Sequence, residues 1–97
     1  MIFTEEVMDD LVAILKIDSL DSYPYVESRL APAAETVLAG SVGTEWIAKN
    51  GADPEVVQAA CALVATWFDR PEMFGELTPG ANFMITQLQA RALKEAS

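Results

Sequence analysis

Apolar residues in this chain recur at helical spacing, and no stretch sustains the alternation of a half-buried strand. Val7, Leu11, Ile14 and Leu15 form the first stripe, with Glu6, Asp9, Asp10 and Ala13 away from it. Thr4 stands where an N-cap belongs, and Glu5 and Glu6 complement the positive first turn, so a helix is predicted over Glu5–Lys16. "KIDSLDS" is a polar break in which Asp21 or Ser22 can cap the next element. Val26, Leu30, Ala33, Ala34 and Val37 keep one phase across Pro32, which lies off their stripe. The pattern predicts one helix over Pro24–Ala39, kinked at Pro32 and closed by Gly40 at C′.

Ser41–Ala52 has glycines near both ends and Trp46-Ile47 in the middle, which fits either a short helix from Thr44 or an extended loop. Asp53-Pro54-Glu55 is a strong helix start of cap, N1 proline and acidic first turn. The helix it opens is predicted over Pro54–Asp69, ending before Pro71. "RPEMFGELTPG" reads as a loop, followed by a helix over Ala81–Glu95. Met84, Ile85, Leu88 and Ala92 share one face of that last helix, and Arg91 and Lys94 suit its C-terminal end. The expected fold is all-α, a single small domain of residues 1–97 with about four helices.

Placed on a wheel at about 100° per residue, the third predicted helix gathers Val56, Ala60, Leu63, Val64 and Trp67 on one face, with Val57, Cys61 and Phe68 beside it. The arc is wide enough to meet two helices. The opposite side, Gln58, Ala59, Ala62, Ala65 and Thr66, is small rather than charged, so another backbone could approach it. Phe83 and Leu93 lie off the apolar stripe of the last helix. Two destinations fit this surplus: cover by loop aromatics such as Trp46 and Phe74, or contact with further copies of the chain. The second is the preferred expectation, through a surface of Ala62, Ala65, Thr66, Arg70, Phe74, Phe83 and Leu93.

Composition narrows the chemistry. The 97 residues carry a net charge of -9, which repels nucleic-acid backbones. The acidic N-terminus has the wrong sign for a signal peptide, and no apolar run reaches a membrane span, so a soluble intracellular protein is expected. There is no histidine, which removes the commonest general base and metal ligand, so no enzyme, cofactor or metal is expected. The lone Cys61 sits among alanines and reads as a small core hydrophobe. Asp18-Ser19-Leu20-Asp21-Ser22 has a superficial likeness to a calcium loop, but Leu20 stands at a ligand position and the central glycine is missing. Glu5, Glu6, Asp9 and Asp10 are explained by helix-dipole complementarity rather than acid–base work.

"LVAILKIDSLDSYPYVESRLAPAAETVLAG" pairs a short helix ending in Leu15-Lys16-Ile17-Asp18 with a long helix bearing Leu30, Ala33 and Ala34. "PEVVQAACALVATWFDRPEMFGELTPGANFMITQL" has a proline-started apolar helix, an aromatic pair before a charged stop, a loop, and a proline before the last helix. Its matching positions are Pro54, Val57, Leu63, Val64, Ala65, Trp67, Phe68, Arg70, Glu72 and Pro79. Together these stretches resemble the tailed-phage head–tail connector (adaptor) proteins, often described as DNA-packaging proteins. Pro71, which splits the Arg-Glu pair, and Pro32 depart from the family pattern. The resemblance implies a non-catalytic, ring-forming structural protein of a phage or prophage, located at the head–tail junction of the virion and in the host cytoplasm during assembly. The ring would sit beneath the portal protein, complete the head, dock tail-completion proteins and let DNA pass without specific binding. The alternative is a small acidic regulatory module, a DNA mimic or antitoxin-like binder. The carboxylates cluster at helix starts rather than in a phosphate-like row, which favours the structural reading.

Overall fold

The computed structural model describes residues 2–15 and 22–96. Its elements are α1 (Glu5–Leu15), α2 (Ser22–Tyr25), a π-helical stretch (Val26–Leu30), α3 (Ala31–Val42), α4 (Thr44–Asn50), α5 (Pro54–Asp69), a 3₁₀ turn (Pro71–Met73) and α6 (Pro79–Ala96). Among the described residues there is no strand, so the chain is all-α as expected. Lys16, Ile17 and Asp18 of the resemblance, and the calcium-like run from Asp18 to Asp21, lie outside the described residues.

Helix starts follow their caps. Thr4 Oγ1 accepts the Val7 N–H at 3.3 Å. Asp53 Oδ1 accepts the Glu55 N–H at 2.9 Å, with Pro54 in the first turn where its missing donor is not needed. Thr78-Pro79 repeats that arrangement: Thr78 Oγ1 accepts the Ala81 N–H at 3.2 Å, and α6 begins at Pro79 rather than Ala81. The Ser41–Ala52 stretch resolves in favour of a short helix from Thr44.

The helical run through Pro32 holds, but its end and its local geometry differ from the expectation. It continues past Gly40 to Val42 and breaks at Gly43, whose φ of 136° suits glycine and strains any other residue. Just before Pro32, the Ala31 N–H reaches back to the Val26 carbonyl, a π-type bond. The wider turn makes room for the proline ring, which in a regular helix clashes with the carbonyl four residues back. It also adds a residue to the turn, so Leu30 and Ala31 are both buried, and the core face downstream runs through Ala34 and Leu38, with Ala33 and Val37 half-buried. In α1 the buried positions are Met8 and Leu11, with Val7 and Leu15 beside them, while Ile14 is exposed rather than part of the core stripe.

The core centres on α5, which packs against α3, α6, the π-helical stretch and α1. Val56, Ala60, Leu63, Val64 and Trp67 are buried as the wheel predicts. Ala59, expected on the open small side, is buried too, so the covered arc is wider than the large side chains alone suggest. Trp67 is 0% exposed: its Nε1–H donates to the Glu76 carbonyl at 2.9 Å, and Phe74 packs on its ring at 5.3 Å between centroids. The 70–78 loop thus folds back over the end of α5.

Trp67→Ala is expected to destabilise the fold by about 3–5 kcal/mol, as large aromatic truncations in cores do. Phe74→Ala, at a ring that is still 44% exposed, should cost clearly less. Urea midpoints of the two variants check both values.

Candidate functional site

The residues proposed for a shared surface fall into separate stations. Ala65, Thr66 and Arg70 line one shallow cleft of about 420 Å³ together with Asp69 and Thr78. Ala62 lies one turn earlier, half-buried, and its carbonyl accepts the Thr66 hydroxyl at 2.9 Å. Phe74 is partly used inside the molecule, against Trp67. Phe83 and Leu93 are 65% and 75% exposed on α6, off the buried Ala81, Ile85 and Leu88. Ten residues apart, they are separated by about 15 Å along the helix and about 80° around it. Leu93 belongs to a second cleft, about 650 Å³, between the end of α3, α4 and α6, beside Val42, Trp46 and Lys49.

At the rim of that second cleft is an interaction the sequence did not announce. Arg91 forms two parallel bonds to Asp53, Nη1 to Oδ1 at 3.1 Å and Nη2 to Oδ2 at 3.0 Å. It also lies 3.5 Å from Glu55 and 3.6 Å from Glu95, and its guanidinium sits 5.5 Å from the centroid of the Trp46 ring. The Trp46 Nε1–H donates to Glu95 at 3.2 Å. One cation therefore ties α6 to α4 and to the start of α5. Its hydrogen bond holds the Asp53 carboxyl below its ordinary value, helped by the Glu55 N–H, while Asp53 in turn raises Arg91. Asp53 was legible as a cap and Arg91 as a helix-end cation, but nothing local links residues 38 apart. Gln89 adds a further tie by donating to the Ser41 carbonyl at 2.8 Å, satisfying a group left open near the end of α3.

The N-terminal residues form a second feature missed by periodicity. Ile2 and Phe3 are buried ahead of α1, and their N–H groups donate to Glu35 Oε1 on α3 at 2.6 and 3.1 Å. Beside them runs a groove of about 440 Å³. Its apolar floor is Phe3, Met8, Ala31 and Pro32, and its polar lining is Glu5, Glu27, Glu35 and Tyr23. Burial pushes the Tyr23 hydroxyl up from its ordinary value, followed by the charge of Glu27 and its hydrogen bond, and by Asp9 and Glu5.

Cys61 is half-buried on α5. Burial, and then the negative charge of Asp10 on α1, push its thiol up. A thiol so placed stays protonated at neutral pH and is a poor nucleophile. Thr36 and Thr86 turn their hydroxyls to their own helices, donating to Pro32 O at 3.0 Å and to Asn82 O at 2.9 Å.

Against protein-family models, curated proteins and solved structures, the chain finds no match.

Two outcomes follow from these geometries. Because the Asp53 carboxyl is depressed in the folded state, its contribution is complete above the ordinary value of 3.8 and fades as pH falls through the lower folded value. Asp53→Ala should cost about 1 kcal/mol near neutral pH through the lost cap. The gap between its thermal midpoint and that of the wild type should narrow on acidification. Separately, Cys61 should react slowly with iodoacetamide at neutral pH and rapidly after unfolding, and Cys61→Ala should retain the helical circular-dichroism spectrum.

Proposed function

We propose that this protein is a structural, ring-forming component of the head–tail connector type, from a phage or a prophage. Two lines support the reading. The chain resembles that family in order along most of its length. The observation that carries it is the disposition of apolar side chains: the core closes on itself around Trp67, yet Phe83, Leu93, Ile14 and Leu77 remain exposed. Scattered exposed apolar residues are ordinary, but two large ones on the outer side of a single helix of a small domain favour contact with another molecule.

The division into two stations suits a head-to-tail arrangement, in which one patch of each copy meets a different patch of the next. In this reading the cleft of Ala65, Thr66 and Arg70 meets one neighbour and the Leu93–Trp46 cleft meets the other, with the exposed Phe74 and Phe83 adding to these contacts. Portal and tail-completion proteins would complete the ring, and DNA would pass through a channel whose acidic subunits do not grip phosphate. No catalytic step and no cofactor belong to this role.

Like charge opposes assembly, since each copy carries -9. Apolar contact must offset this at about 25 cal/mol per Å² of apolar area, less the entropy of association. Screening limits the repulsion to about 8 Å at physiological ionic strength, so salt should promote association. Sedimentation velocity at rising salt and protein concentration is expected to show larger species that Phe83→Asp and Leu93→Asp each reduce. A strict monomer at high salt, unchanged by either substitution, removes both the ring and the proposed surface.

A further inference from the structure

We infer that the groove between α1, the π-helical stretch and α3 is a docking site for a basic, amphipathic segment of a partner protein. It would take one apolar side chain on the Phe3–Met8–Ala31 floor and Lys or Arg side chains against Glu5 and Glu27.

Three observations converge on this occupant. The first is shape: about 440 Å³ accommodates a large side chain or two, and the floor is built from core residues at fixed positions. Ile2 and Phe3 are held there by two hydrogen bonds to Glu35. The floor is therefore a preformed surface, which lowers the ordering cost of binding. The second is charge. Glu5, Glu27 and Glu35 reach the groove from three different elements, and among the described residues no Lys or Arg side chain lines it. The described residues as far as Glu35 carry one basic side chain, Arg29, and six carboxylates: Glu5, Glu6, Asp9, Asp10, Glu27 and Glu35. The third is the state of Tyr23, whose hydroxyl holds its proton more tightly because it is desolvated and because Glu27, Asp9 and Glu5 surround it. Desolvation is the larger cause, and the charges of Glu27, Asp9 and Glu5 add to it in the same direction.

A partner cation would relieve this repulsion, whereas an anionic ligand, a nucleic acid or an acidic membrane surface meets it head-on. A second copy of a chain with net charge -9 is a poor occupant for the same reason. The site is independent of the Phe83 and Leu93 stations and stands whether or not the chain forms a ring.

The probes are two short amphipathic peptides of equal hydrophobicity, one of Leu and Lys and one of Leu and Glu, titrated into the ¹⁵N-labelled protein. The Leu/Lys peptide should saturate and shift the amides of Phe3, Met8, Tyr23 and Ala31, while the Leu/Glu peptide should not. Glu5→Gln with Glu27→Gln, both exposed positions, should keep the helical circular-dichroism spectrum and weaken binding about three- to tenfold, as should added salt. Phe83→Asp and Leu93→Asp should leave the peptide affinity unchanged, which separates this site from the assembly surface. Shifts scattered over all acidic helix starts, equal binding of both peptides, or an affinity untouched by the double substitution would overturn the proposal. Concentration-dependent shifts of the same amides without peptide would overturn it in favour of a second copy.

Discussion

The burial of Trp67 is the contact on which the rest of the architecture depends. It terminates the apolar arc of α5, and its indole N–H is satisfied by the Glu76 carbonyl, so a polar atom enters the core without being stranded. That bond and the Phe74 ring draw the 70–78 loop back over the helix end. With the loop in place, α6 starts at Thr78-Pro79 against the same helix, and its Ala81, Ile85 and Leu88 close the core. The abundant apolar surface of α5 is therefore mostly internal. What remains for other molecules is carried by α1 and α6, by the loop, and by the small Ala62, Ala65 and Thr66 side of α5.

Much of this was legible because local chemistry decides it. Asp53-Pro54 fixes the start of α5, and the spacing of Val56, Ala60, Leu63, Val64 and Trp67 fixes its buried face. Thr78-Pro79 carries the same information, yet it sits in a stretch rich in turn residues and reads as the tail of a loop. Gly40 and Gly43 are equivalent as sequence symbols; which one breaks the helix depends on where α4 must pack, a tertiary matter. Ile14 fits the α1 stripe on paper, but burial of Ile2 and Phe3 turns the face toward Met8 and Leu11. The candidate surface was legible only as a set of residue types. Whether Ala65, Phe83 and Leu93 adjoin depends on distances along and around α6 that hydrophobicity does not encode.

Charge in this molecule is organised by end. Around Arg91, the carboxylates of Asp53, Glu55 and Glu95 share one guanidinium that links α5 to α6, and Trp46 brings in α4. Around Tyr23, carboxylates gather beside an apolar floor with no cation lining it among the described residues. The first arrangement has a cation at its centre and acts as a clamp. The second, among the described residues, has none lining it, and a basic group from outside would complement it. A protein with six basic residues against fifteen acidic ones thus concentrates its imbalance where a surface is already shaped.

The π-type turn ahead of Pro32 has a consequence for how sequences of this kind diverge. A wide turn holds one more residue than a regular one, so the helix before it and the helix after it are out of step by a single position. Loss of one residue between Val26 and Leu30 would restore the ordinary winding while leaving Ala34 and Leu38 facing the same core. Elsewhere in a helix such a deletion rotates everything downstream by about 100°. The stretch is a seam at which chain length can change without the two halves losing their common face, and a gap falling there in an alignment of relatives would mark a conserved shape.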